Sequence, residues 1–108
     1  MTLREKQSLF AHNVARLIQF AYAEGFEVTF AEAYRPPETA ALYAEQGRGI
    51  ANSQHTKRLA IDLNLFLNGK YLTSTESHLM LGAYWETLHP ENRWGGRFDD
   101  GNHYEMKG

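Results

Sequence analysis

The sequence predicts an α+β fold, a small and mostly antiparallel sheet with helices packed on one side. Three observations carry this. Phe10, Val14, Leu17, Ile18 and Ala21 recur at helical spacing near the N-terminus. Leu59, Ile61, Leu63 and Leu65 alternate with Ala60, Asp62, Asn64 and Phe66, the period of a half-buried strand. Asn68-Gly69 follows almost at once, the strongest short signal for a hairpin and so for an antiparallel neighbour. A chain of 108 residues suffices for one core and not two, so residues 1 to 108 are expected to form a single domain.

The elements follow in order. Residues 3 to 24 read as an amphipathic helix that Gly25 ends. Residues 26 to 34 read as a strand with Phe26, Val28 and Phe30 on one face and Glu27 and Thr29 on the other. Its second half fits less well, because Ala31 and Ala33 bring no polarity to the outer face and Glu32 falls on the apolar side. Pro36 and Pro37 stop the strand and start a helix over residues 38 to 45. Gly47 to Ser53 is a run of loop formers. The strand carrying Asp62 comes next, then the hairpin, with Tyr71 and Leu72 as a short return strand. Thr73-Ser74-Thr75-Glu76 has the pattern of a capping box for a helix to about Leu88, which Pro90 closes. Trp94 to Phe98 reads as a turn-rich connection to a last strand, His103-Tyr104-Glu105-Met106. No repeat, linker or low-complexity tract breaks the chain, so binding and catalysis are expected to share one surface.

Composition narrows the function. Hydrophobic content of 43% and aromatic content of 13% are those of a globular protein, and a net charge of −2 gives no argument for nucleic acid or a membrane surface. The absence of cysteine excludes disulfides, thiolate-held metal and thiol catalysis. The N-terminal segment is interrupted by His12, Asn13, Arg16 and Gln19, so it reads as neither signal peptide nor membrane span. The expectation is a monomer made and folded in the cytoplasm, without membrane insertion.

The chemistry gathers in two places. Ser53 to Asp62 contains His55 and Asp62; Asp100-Gly101-Asn102-His103 adds a histidine and a spare carboxylate. Two histidines and a carboxylate, with a further acid nearby, make the ligand set of a catalytic zinc site with its fourth position left for water. On the Asp62 strand the apolar residues claim the core, so Asp62 and Asn64 face solvent or a cleft. His55 lies seven positions earlier, an odd spacing that would put it on the opposite face of a straight strand. It must therefore sit in a loop that curls back. His103 and Glu105 share one face of the last strand. The ordinary reading of each residue alone is a solvated surface group; it is the pairing of two clusters that raises the zinc reading beside it. His12, His78 and His89 lie on or beside helices and are not read as ligands.

These segments resemble the zinc peptidases that include bacterial D-alanyl-D-alanine carboxypeptidases and dipeptidases and phage L-alanyl-D-glutamate endolysins. The family pattern Ser-x-His-x-x-Gly-x-Ala-x-Asp, followed much later by Asp- or Glu-x-x-His, reads here as Ser53, His55, Ala60 and Asp62, then Asp100 and His103. A third element, an aromatic and an arginine before a proline-containing helix start, reads as Tyr34-Arg35-Pro36-Pro37-Glu38. The resemblance spans most of the chain. It implies that His55, Asp62 and His103 bind zinc, that Asp100 is the general base, and that Arg35 steadies a substrate carbonyl or carboxylate. It also implies a substrate in the peptide stem of peptidoglycan, first of all its L-alanyl-D-glutamate bond. A D,D-carboxypeptidase or dipeptidase is the alternative among enzymes. A non-catalytic zinc-stabilised binding module is the alternative outside them, because hedgehog signalling domains share this type of zinc site. For a phage lysin made without a leader, the implied route to the wall is a holin-type pore.

Several residues keep two readings. Arg35 alone would read as a surface salt-bridge partner. Ser53 either donates to a substrate carboxylate or caps the loop backbone. Trp94 either lines a peptide groove or plugs the core. Glu105 is placed to orient a ligand from behind. Asp99 rivals Asp100, but the family spacing to His103 is three. The family glycine of the first motif is Arg58 here: either that turn has ordinary dihedrals, or Arg58 adds positive charge at the cleft mouth.

Overall fold

The computed structural model of the chain describes residues 1 to 50 and 53 to 108. Ala51 and Asn52, part of the expected loop before Ser53, lie outside the described residues. The elements are α1 (Leu3–Ala23), β1 (Phe26–Phe30), α2 (Pro37–Glu45), β2 (Ala60–Leu67), β3 (Lys70–Leu72), α3 (Leu79–Thr87), β4 (Asn92–Trp94) and β5 (His103–Met106). Short 3-10 turns at Gln54–Lys57, Glu76–His78 and Gly95–Phe98 complete the order.

The sheet is antiparallel at every pairing and runs β1-β2-β5-β4. β2 is its spine. β1 runs along one edge of it, from Leu67 down to Leu63. The other edge is shared end to end, β5 pairing with Ala60, Ile61 and Asp62 and β3 pairing with Leu65, Phe66 and Leu67. The β2–β3 turn has φ of 51° at Asn68 and 78° at Gly69, the paired left-handed residues that a two-residue hairpin demands.

The alternation of β2 separates two environments. Leu59, Ile61, Leu63 and Leu65 are buried with Tyr104 and Met106 of β5, and α1 and α3 close over them with Phe10, Val14, Leu17, Ala21, Leu81 and Trp85. Each fully buried leucine there contributes about 1.5–3 kcal/mol relative to exposure. α1 begins with a capping box of Thr2 and Glu5 and shows the inward face that its spacing predicts. α2 contributes only Ala40 to the buried set.

Four expectations are corrected. β1 ends at Phe30 and not at Tyr34, and Phe30 is exposed. The cause is a bulge: Ala31 N–H donates to Asp62 O (3.0 Å) while Asp62 N–H donates to Glu32 O (2.8 Å), so two residues face one. That extra residue breaks the alternation and frees Glu32 from the apolar side. The capping box at Thr73–Glu76 does not form; Ser74 Oγ accepts instead from Ser77 N–H (3.2 Å), and a 3-10 turn precedes α3. The connection around Trp94 contains a strand, β4, before its 3-10 turn. Finally, Arg58 does not have ordinary dihedrals. It lies in the left-handed region (φ 58°, ψ 36°), the conformation that suits the family glycine. Its guanidinium sits 3.9 Å over the ring of Tyr34, on an apolar groove beside α1 and away from the cleft described below.

Candidate metal centre and cleft

Asp62 and His103 are direct partners across β2 and β5. Asp62 spends its backbone hydrogen bonds on the β1 side, and His103 N–H turns to Asp100 O (3.1 Å). This makes Asp62–His103 a pair without ladder bonds, the kind in which facing side chains approach most closely. Asp62 Oδ1 and His103 Nδ1 are 3.0 Å apart. His55 arrives from the 3-10 turn as the sequence requires, and its Nε2 lies 3.3 Å from the same Asp62 oxygen.

The backs of both imidazoles are held. His55 Nδ1 lies 2.8 Å from Ala33 O, an acceptor that fixes the proton on Nδ1 and leaves the Nε2 lone pair for the centre. His103 Nε2 lies 2.7 Å from Glu105 Oε1. The other carboxylate oxygen of Glu105 accepts from Arg93 Nε (3.1 Å) and Nη2 (2.9 Å), since Arg93 and Glu105 are partners across β4 and β5. The ring is thus oriented by a carboxylate that is itself oriented by a guanidinium.

The electrostatics follow from these contacts. Burial pushes the Asp62 carboxyl up, but hydrogen bonds from His103 and His55 outweigh it and bring the pKa down to about 2. Burial likewise opposes charge on His103, yet Asp62 and Glu105 hold its pKa up to about 9. Asp100 is raised above the usual carboxylate range, by burial first and by the neighbouring Asp62 charge.

The donor set fits a metal. One ligand atom from each of His55, Asp62 and His103 lies within 4.8 Å of the other two. A tetrahedral zinc with arms of about 2.0–2.2 Å separates its ligands by roughly 3.3–3.6 Å, close to the 3.0 and 3.3 Å found here. The three atoms open on a cleft of about 490 Å³ that also takes in Arg35, Ser53 and Asp100. An open side is what distinguishes a working site from a closed structural one.

The remaining expected site residues fall as follows. Ser53 Oγ accepts from His55 N–H (3.2 Å), so it caps the turn that presents His55, while its residue also lines the cleft. Arg35 is half-buried beside the centre and ion-paired through Nε and Nη2 to one oxygen of Glu32. Asp99 lines a smaller polar cavity next door, which Asp100 shares. Trp94 is a core plug: its Nε1–H donates to Gly101 O (2.7 Å), and a Cβ at Gly82 or Gly96 would overlap its indole. Sequence reasoning missed Glu32, Arg93 and Arg48. Glu32 was hidden by the bulge, and Arg93 by the unread strand β4. Arg48 carries no motif at all.

No protein-family model matches this chain, and no curated protein matches it in sequence. Solved structures do match its fold. The L-Ala D-Glu endopeptidase ChiX of Serratia marcescens superposes with a TM-score of 0.71 at 17% identity, over 96% of this chain and 85% of that one. The vancomycin-resistance D,D-pentapeptidase VanY from a VanB-type cassette, solved in complex with Zn(II), superposes with a TM-score of 0.59 at 18% identity, over 92% of this chain and 71% of that one. The chain shares its fold with these two peptidases. Among the described residues no helix is long and apolar enough to cross a membrane.

Proposed function

We propose that this chain is a zinc-dependent peptidase that hydrolyses the peptide stem of peptidoglycan at its L-alanyl-D-glutamate bond, as in a phage or prophage endolysin. The observation that carries the reading is the convergence of His55 Nε2, Asp62 Oδ1 and His103 Nδ1 on the floor of a cleft that also holds Asp100 and Arg35. The fold shared with an L-Ala D-Glu endopeptidase supports it.

Zinc, when bound, supplies a Lewis acid that polarises a carbonyl and acidifies water. The chain supplies the rest. Asp100 takes the proton of the attacking water and returns it to the leaving amine, and its raised pKa suits a base that must also give the proton back. Arg35 approaches the carbonyl oxygen as charge develops on it, with Glu32 holding the guanidinium in place. Glu105 and Arg93 fix the plane of His103. Ser53 keeps the His55 turn closed.

The second reading, D,D-carboxypeptidase action, draws on the likeness to VanY. Purified peptidoglycan digested with the zinc-loaded protein separates the readings by mass spectrometry of the released ends. New D-glutamyl N-termini are expected, and Asp100→Asn should lower their rate on the order of a hundredfold while keeping zinc. Released D-alanine would establish the second reading. Zinc binding without any new ends would leave only a binding module.

A further inference from the structure

Three arginines line the cleft, and two of them are neutralised. Arg35 is paired with Glu32 and Arg93 with Glu105. Arg48 is different. Among the described residues its guanidinium meets no carboxylate; its side-chain hydrogen bond goes from Nη1 to the amide oxygen Oε1 of Gln46 (3.1 Å).

Arg48 is nevertheless held in place. α2 ends in a double-bonded cap, in which Gly47 N–H donates to Ala44 O (3.1 Å) and Arg48 N–H to Tyr43 O (2.7 Å). This motif needs a left-handed residue after the helix, and Gly47 supplies it with φ of 71°. The cap fixes the Arg48 backbone against the last turn of α2. The guanidinium then lies 4.5 Å from the centroid of the Tyr43 ring, and the same ring has Arg35 at 5.3 Å. Stacking on a ring face leaves the edge of a guanidinium, where its N–H groups are, directed away from the ring. A stacked, capped and unneutralised cation at the wall of a cleft is a preorganised anion receptor.

We propose that Arg48 reads a free carboxylate on the substrate peptide and so makes the cleft selective for the acidic over the amidated stem. The inference rests on the peptidase reading for the identity of the peptide, though not for the charge it must carry. Two carboxylates offer the same chemistry: the α-carboxylate of a γ-linked D-glutamate, and the C-terminal carboxylate of D-alanine. Arg35 is thereby left for the reacting carbonyl, since its Nε and Nη2 already serve Glu32.

The test is equilibrium binding to the zinc-loaded protein in an Asp100→Asn background, which keeps the peptide intact, with and without Arg48→Gln. The probes are L-alanyl-γ-D-glutamyl-L-lysine with its glutamate α-carboxyl free or amidated, and a peptide ending in D-alanyl-D-alanine with its terminus free or amidated. Arg48 is exposed, so the substitution leaves the fold intact. For one pair the acid should bind about tenfold more tightly than the amide, in line with a charge-assisted pair, and Arg48→Gln should remove that preference. The pair that shows it identifies the carboxylate. Equal binding of acid and amide in both pairs, undetectable binding of both acids, or a preference that survives Arg48→Gln overturns the proposal. Hydrolysis by the protein with Asp100 intact is followed separately. Acid selectivity without hydrolysis would sink the peptidase reading alone, and hydrolysis without selectivity would sink this one alone.

Discussion

His103 and His78 are both sealed from solvent, at 7% and 2% exposure, one belonging to β5 and the other packed against it, yet their surroundings drive them in opposite directions. His78 meets one polar partner, the Tyr104 hydroxyl at 2.7 Å from its Nδ1. Burial dominates, and its pKa falls to about 4. His103, on the other face of the same strand, lies between Asp62 and Glu105, and its pKa rises to about 9. The same side chain is a neutral structural piece in one place and a charged or metal-ready one in the other. Burial makes a histidine neutral; only carboxylates, here one from its own strand and one from the strand beside it, make it a member of a site. The alternation of β5 decides which: Tyr104 and Met106 point to the core, His103 and Glu105 to the cleft.

The sharpest way to break this comparison is to remove each histidine in turn and count metal. His103→Ala and His55→Ala should each weaken zinc binding by about a hundredfold or more, because a ligand is lost outright. Zinc content after dialysis should drop from one per chain towards none. His78→Ala should keep its zinc. Loss of zinc from the His78 variant, or full retention in both site variants, would place the metal elsewhere.

The next effect is a stability difference that depends on pH. His78 has a folded pKa of about 4 against about 6.5 when unfolded. A depressed folded pKa means that the unfolded chain takes the proton first. The contribution of His78 is therefore fully present above pH 6.5 and is lost as pH falls towards 4, amounting to about 3 kcal/mol. His78→Gln keeps an acceptor for the Tyr104 hydroxyl and cannot titrate. Denaturant midpoints of the zinc-free wild type and variant, followed from pH 7 to pH 4, should show a shallower acid limb in the variant. Parallel limbs would mean that His78 is protonated in the fold.

How much of this was legible follows from where the physics is local. β2 announced itself because a strand with one face in the core must alternate, and Asn68-Gly69 announced its hairpin because few residue pairs adopt that turn. His55, Asp62 and His103 were legible as a set, and the need for His55 to curl back followed from an odd spacing. What stayed hidden depends on pairing between distant segments. The bulge at Ala31 and Glu32 is defined only opposite Asp62, and it is what turns Glu32 towards Arg35. β4 has three residues, too few for a pattern, and takes its meaning from lying beside β5. Arg58 shows a different limit. Ordinary dihedrals were one expectation, yet the backbone keeps the left-handed turn and the side chain settles on Tyr34. A left-handed non-glycine residue costs roughly 1–2 kcal/mol, and a stacked cation returns part of that.

The smallest expected effect bears on Arg35, where the two regions meet: its guanidinium is held by an ion pair to Glu32, as in any structural salt bridge, but at the wall of the cleft. Arg35→Lys keeps the charge and loses the planar fork through which Nε and Nη2 reach Glu32. If the group steadies charge that grows during the reaction, its displacement costs more in the transition state than in the bound substrate. The rate constant kcat should then fall roughly tenfold, about 1.4 kcal/mol, and KM should rise with it. If the pair is structural, the melting temperature moves by the equivalent of about 1 kcal/mol or less and the kinetics stay normal, because a partly exposed pair is worth no more than that. Steady-state kinetics and a melting curve on the same preparation distinguish the two. A kinetic loss with little change in melting would show that Glu32 holds Arg35 for the sake of the cleft, and unchanged kinetics would return the pair to the frame of the fold.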